Sequence, residues 1–145
     1  MNNSAGPGSN GVGIRHPYPN GLREAGFTVA VASADQVLGA CVRRWVERSE
    51  DFSWAGQAAE FRGTLRLVAR VHPDLLIVDC SLPGGGSRAL IRSLVPEQGP
   101  LLILCSRDRR DAILAFEIHA VHFLEKPVVE ARLSAAMSSA LQRLV

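Results

Sequence analysis

Three residues in this chain carry side chains suited to chemistry and stand where a sheet would present them. The run Pro73-Asp74-Leu75-Leu76-Ile77-Val78-Asp79 is an apolar stretch of strand length that ends in a carboxylate. Cys80-Ser81-Leu82-Pro83 and three glycines, Gly84 to Gly86, follow it. A buried strand that delivers one acid to its C-terminal end is how open α/β sheets present a reactive group. Ser106 closes a second apolar run, Leu101 to Cys105, and Lys126-Pro127 follows a third, Val121 to Leu124. An acid, a hydroxyl and a lysine supply a nucleophile or ion-pair partner, a hydrogen-bond donor and a point charge.

The elements that must position these groups alternate from Phe27 onward. Thr28 to Ala32 reads as a strand, and Asp35 to Arg48 as an amphipathic helix carrying Val37, Leu38, Cys41, Val42, Trp45 and Val46. Phe52 to Gln57 is a weaker second strand. Glu60 to Val71 is a helix with Phe61, Leu65, Val68 and Ala69 on one face, stopped by His72-Pro73. After the Leu75–Val78 strand, Ser87 to Val95 is a short helix with Leu90, Ile91 and Leu94 inward. Leu101 to Cys105 is the fourth strand. Asp108 to His119 reads as a helix with Ala112, Ala115 and Phe116 inward. Val121 to Leu124 is the fifth strand. Val129 to Leu144 closes the chain as a helix with Leu133, Ala136, Met137, Ala140, Leu141 and Leu144 inward. Strands alternating with helices imply an α/β fold, a doubly wound five-stranded parallel sheet joined by right-handed crossovers.

Composition bounds the function. At 145 residues the chain is long enough for one domain with a sizeable core. Residues 1–26 are rich in Asn, Gly, Ser and Pro and bury too little to offset their ordering, so a disordered tail is expected before a domain at 27–145. Arg15-His16-Pro17-Tyr18-Pro19 within it reads as tail, with a short docking motif as the alternative. No apolar run reaches membrane-spanning length and no signal peptide is evident, so a cytoplasmic protein without membrane contact is expected. The formal net charge of +2 is too small to argue for nucleic acid. Cys41, Cys80 and Cys105 show neither disulfide nor metal-ligand spacing and read as buried reduced thiols.

The triple of Asp79, Ser106 and Lys126, with Asp79-Cys80-Ser81-Leu82-Pro83 and Phe123-Leu124-Glu125-Lys126-Pro127 around it, resembles the receiver domain of two-component response regulators. The likeness runs from about Thr28 to Leu144, and Ala115 to Leu124 looks most like receivers of the LytTR group. It implies a flavodoxin-like (βα)5 sheet of order 2-1-3-4-5. By the same resemblance Asp79 is the phospho-acceptor, Ser106 the switch hydroxyl, Lys126 the phosphoryl-pairing lysine and Phe123 the rotating aromatic. A histidine kinase or phosphotransfer protein would be the donor, and a homodimer through the fourth helix, fifth strand and fifth helix a further partner. The implied function is phosphorelay signalling rather than classical enzymology, with no direct nucleic-acid binding by this chain. The roles suit phosphoryl transfer, which needs an in-line nucleophile and positive charge around the equatorial oxygens.

Departures from the family pattern are as informative. Receivers carry two acids directly after the first strand, which hold Mg²⁺ with the nucleophilic aspartate; here those positions read Ser33-Ala34. A register shifted by one would make Asp35 the second acid. The apolar pairs Val37-Leu38, Cys41-Val42 and Trp45-Val46 favour the unshifted register and leave Asp35 as the N-cap of the first helix. Only Asp79 and the Ser81 backbone carbonyl would then remain for Mg²⁺, which is expected to bind weakly or not at all. Ser87 stands where glycine is usual, and Arg107 where a small residue is usual.

Two readings of the site follow. Asp79 either accepts a phosphoryl group, or forms a degenerate ion pair with Lys126 in a pseudo-receiver that works by protein–protein contact. Ser106 is likewise a switch or a turn hydroxyl. Arg107, Arg109 and Arg110 read as a solvated helix face, with replacement of the metal charge by Arg107 or a partner patch as alternatives. Asp108 and Asp111 suit a capping arrangement, His119 and His122 read as surface or satisfied groups, and the triple glycine reads as a turn.

Overall fold

The computed structural model describes residues 26–84, 87–94 and 99–145. Residues 1–25 of the expected tail at 1–26, with its Arg15–Pro19 motif, lie outside the described residues, as do Gly85, Gly86, residues 95–98 (the expected third helix ends at Val95) and the side chain of Ser87.

Strand and helix alternate as β1 Phe27–Ala32, α1 Gln36–Glu47, β2 Phe52–Ala58, α2 Phe61–Val71, β3 Leu75–Asp79, α3 Ser87–Leu94, β4 Leu101–Ser106, α4 Ala112–Glu117, β5 His122–Glu125 and α5 Glu130–Leu144. All pairings are parallel, as the alternation of elements implies, and the sheet order is β2-β1-β3-β4-β5, as the resemblance implies. Every residue of β3 is buried, because helices cover both faces of the sheet. One layer packs α1 and α5 on Val29, Val31, Leu75, Ile77, Ile103 and Cys105; the other packs α2, α3 and α4 on Ala30, Leu76, Val78, Leu102 and Leu104. Each fully buried aliphatic side chain contributes about 1.5–3 kcal/mol, so the sheet is a stiff frame for the groups at its strand ends.

Three helical faces differ from their expected phases. In α1, Leu38, Gly39, Val42 and Val46 are buried while Val37 is 81% exposed. Val37 lies in the first turn, off the stripe that meets the sheet. In α2, Thr64 and Leu67 are the buried residues and Ala69 is exposed. The expected helix from Asp108 is split into a 3₁₀ turn, Arg109–Asp111, and the short α4. The tighter turn rotates the helix that it leads into, so Leu114 and Ala115 point inward, whereas Ala112 is exposed and Phe116 is 84% exposed. In α5 the inward set is as expected, with Leu141 half-buried.

Candidate functional site

Parallel pairing sets the ends of the central strands side by side, with Asp79 beside Cys105 in the β3–β4 register. The backbone N–H of Cys80 donates to the Cys105 carbonyl, and that of Lys126 to the Ser106 carbonyl. The peptide between Lys126 and Pro127 is cis. Asp79, Ser106 and Lys126 thereby stand at or just past the C-terminal ends of β3, β4 and β5, which is where the sequence reading puts them.

The Asp79 carboxylate is 2% exposed and both of its oxygens are engaged. Oδ1 accepts from the Ser81 N–H at 3.0 Å and the Ser81 hydroxyl at 2.7 Å. Oδ2 accepts from the Ser33 hydroxyl at 2.6 Å and from Lys126 Nζ at 2.7 Å. An ionised carboxylate offers about four acceptor sites, and four donors of this chain meet them. Burial pushes the Asp79 carboxyl up, but the bonds from Lys126, Ser33 and Ser81 outweigh it and hold the group below its ordinary value. Asp79 is an anion at neutral pH. Its neighbour Cys105 is pushed up to about 12 by burial and stays a thiol.

Lys126 Nζ also donates to Asp35 Oδ2 at 3.2 Å, while Asp35 Oδ1 accepts from the N–H groups of Val37 and Leu38. Asp35 is the N-cap, as expected, and it is at the same time a second carboxylate on the lysine. Bonds from the Leu38 N–H and from Lys126 hold the Asp35 carboxyl below its ordinary value. Burial alone would lower Lys126, and the two carboxylates raise it instead. The Ser33 hydroxyl accepts from the Asp35 N–H at 2.9 Å, and this closes a ring of four residues. Ser33 itself is fully buried and fixed from β2: its N–H donates to the Ala58 carbonyl, and Gln57 Nε2 donates to its own carbonyl.

Ser106 is turned to a different partner. Its hydroxyl donates to Asp111 Oδ2 at 2.6 Å and accepts from the Asp108 N–H at 3.0 Å. Asp108 caps the 3₁₀ turn by accepting from the Arg110 N–H, as the capping arrangement expects, whereas Asp111 makes no side-chain cap and accepts from Ser106 instead. Phe123 is half-buried and packs on the layer formed by α2, α3 and α4. Arg107 is exposed and outside the hydrogen bonds to Asp79; Arg109 pairs with Glu125 and Arg110 with Asp108 at the surface. Sequence reasoning missed Ser33 as a donor, Asp35 as a partner of Lys126, and Asp111 as the partner of Ser106. One signal was present: Ser33 stands where the resemblance puts an acid facing Asp79.

Receiver domains typically bind Mg²⁺ in an acidic pocket, and these residues do not fit the ion. Mg²⁺ demands near-octahedral oxygen ligation with one or two free carboxylates. Here Ser33 is neutral, Ala34 has no ligand atom, and Asp79 and Asp35 are both committed to Lys126. What remains is the Ser81 backbone carbonyl, a single neutral ligand, while the Ser81 hydroxyl is turned to Asp79. Among the described residues, no group of three or more His, Cys, Asp or Glu is placed to hold a metal ion.

The response regulator receiver domain model matches residues 22–138. The transcriptional regulatory protein BtsR of Escherichia coli is 28% identical over 97 residues, 67% of this chain and 41% of that protein. The transcriptional regulatory protein CitT of Bacillus subtilis is 30% identical over 103 residues, 69% of this chain and 46% of that protein. This chain therefore spans less than half the length of these curated relatives. A receiver domain protein from Clostridium thermocellum superposes with a TM-score of 0.68 at 22% identity, covering 81% of this chain and 95% of that one. A LuxR-family two-component response regulator from Aurantimonas gives a TM-score of 0.71 at 21% identity, covering 81% and 86%. No helix among the described residues is long and apolar enough to cross a membrane. Sheet order and family match agree: the chain belongs to the response regulator receiver domains of two-component signalling.

Proposed function

We propose that this receiver is a degenerate one, a protein-docking module in the cytoplasm whose output does not depend on phosphorylation of Asp79. The observation that carries this is the saturated carboxylate. Asp79 is 2% exposed, and its oxygens meet four donors at 2.6–3.0 Å, so neither is free for in-line attack on a phosphorus atom. Ser106, the hydroxyl that would close on a phosphoryl group, is held by Asp111. Receivers interact with kinases or other phosphodonors; here a histidine kinase or phosphotransfer protein would dock without transfer.

The docking face of this reading is α4, β5 and α5, used for a homodimer. Ile113 and Phe116 are 62% and 84% exposed on one side of α4. Arg109 and Arg110 precede them and Glu117 follows. Two copies of α4 packed antiparallel would set apolar against apolar, which is self-complementary.

A second reading is favoured by one contact, the 2.7 Å approach of Lys126 to Asp79, which also suits a live phospho-acceptor with Phe123 as its aromatic switch. A titration with Mg²⁺ and beryllofluoride, followed by Trp45 and Trp54 fluorescence or amide NMR, separates the two. The docking reading expects no saturable response and unaltered dimerisation in Asp79→Asn. A saturable response abolished by Asp79→Asn would establish the phospho-acceptor instead.

A further inference from the structure

The Ser33, Asp35, Asp79 and Lys126 side chains form a connected ring, and an acidic pocket left empty differs physically from one that has been rebuilt. Replacing two acids by Ser33 and Ala34 could leave Asp79 with unmet acceptor sites in a buried position, a costly arrangement. The opposite is found. The Ser33 hydroxyl spans to Asp79 at 2.6 Å, Lys126 joins Asp79 at 2.7 Å to Asp35 at 3.2 Å, and the Asp35 N–H returns to Ser33 at 2.9 Å. The ring ties the loop after β1, the end of β3 and the loop after β5. The first two are where the carboxylates of a divalent-ion site would stand, and the third supplies the cation instead. The Lys126 side chain is 7% exposed, so its ammonium sits inside the ring rather than reaching over it. It is also the only lysine in the sequence, where every other basic side chain apart from histidine is arginine. An ammonium is a compact point charge with three donors, whereas the planar guanidinium of arginine presents a fixed fork.

We propose that Lys126 is the resident cation of this pocket: with Ser33 and Asp35 it forms a clasp that takes over the bridging role of a divalent ion and excludes one. The ring holds two carboxylates and one ammonium, so it keeps a net charge of −1, and a divalent ion could enter only by displacing Lys126 or Ser33 from Asp79. Three consequences follow, and the second separates this from simple loss of ligands. The wild-type pocket ignores Mg²⁺. Removing the lysine opens it to Mg²⁺, because Asp35 and Asp79 are then uncompensated. Restoring acids at 33 and 34 opens it as well, because Ser33 no longer occupies Asp79.

The inference rests on the degenerate-site reading of the same pocket, and its test uses no phosphoryl donor, so the two can fail separately. Mg²⁺ is titrated into the full chain, with melting temperature and amide NMR as readouts, together with the side-chain signal of the single lysine. The wild type is expected to show no saturable shift at residues 33–35, 79–82 or Lys126. Lys126→Gln and the double variant Ser33→Asp/Ala34→Asp are each expected to gain a saturable Mg²⁺-dependent rise in melting temperature. Should Lys126→Gln fail to fold, Lys126→Met, which keeps the length of the side chain without its charge, carries the test in its place. Saturable Mg²⁺ shifts centred on Asp79 in the wild type would overturn the clasp. So would variants that fold and stay as indifferent to Mg²⁺ as the wild type. Neither result bears on whether the α4 face dimerises.

Discussion

The Ser106 hydroxyl lies 2.6 Å from Asp111 Oδ2, so the side chain at the end of β4 is bonded into the turn that begins α4. It also accepts the Asp108 N–H, which makes it an anchor for the 3₁₀ turn. Ser106→Ala should cost about 1–2 kcal/mol in urea denaturation followed by far-UV circular dichroism. A double-mutant cycle with Asp111→Ala should return a coupling of about 1 kcal/mol. Additive losses would mean that the bond contributes nothing and the hydroxyl is free to turn.

The charged ring sets the pH range of stability from both sides. The Asp79 carboxyl lies below its ordinary value of 3.8, so its contribution is complete above that pH and is lost as pH falls through the folded value. The Lys126 ammonium lies above its ordinary value of 10.5, so its contribution is complete below that pH and is lost as pH rises through the folded value. Urea midpoints across pH should therefore fall at both extremes. Asp79→Asn should flatten the acid limb, leaving the share due to Asp35, and Lys126→Gln should flatten the alkaline limb. An acid limb as steep in Asp79→Asn as in the wild type would assign that loss to other groups.

How much of this was legible in the sequence depends on the range of each interaction. The runs Leu75–Val78 and Leu101–Cys105 announce buried parallel strands, since solid apolar stretches of that length are what a sheet covered on both faces requires. Asp35 as an N-cap was legible because capping is local, to Val37 and Leu38. Its bond to Lys126 is 91 residues away, and that of Ser33 to Asp79 is 46 residues away. No spacing rule reaches so far. The phase of α4 failed for a different reason: the 3₁₀ turn at Arg109–Asp111 shifts the period, so Phe116 reads as inward and is outward. The same misreading concealed the feature that most distinguishes this surface.

That surface gives a direct prediction. Phe116 and Ile113 make little contact with their own domain, so replacing both by serine should leave monomer stability nearly unchanged. Self-association should weaken about tenfold or more if they are the centre of the dimer contact, because such anchors commonly cost over 1 kcal/mol when truncated. Sedimentation velocity over a concentration series reads this out. Equal association of wild type and variant would remove α4 from the interface.

The close approach of α1 to β2 supplies the last test, at a helix position where alanine should be better than glycine and is expected to be worse. Gly39 is buried on α1, and a Cβ there would collide with the Gln57 carboxamide. That carboxamide donates to the Ser33 carbonyl at 2.8 Å and so steadies the residue that bonds Asp79. Helix propensity alone favours Gly39→Ala by about 1 kcal/mol. Displacing Gln57 removes a half-buried hydrogen bond and loosens the loop after β1, at a cost of about 1–2 kcal/mol. The net effect of Gly39→Ala should be neutral to destabilising. In a Gln57→Ala background the collision is gone, and the same substitution should stabilise by up to about 1 kcal/mol. The sign reversal, measured by urea denaturation of the four proteins, isolates the contact from helix propensity. If Gly39→Ala stabilises both backgrounds alike, Gln57 is not what holds Ser33 in place.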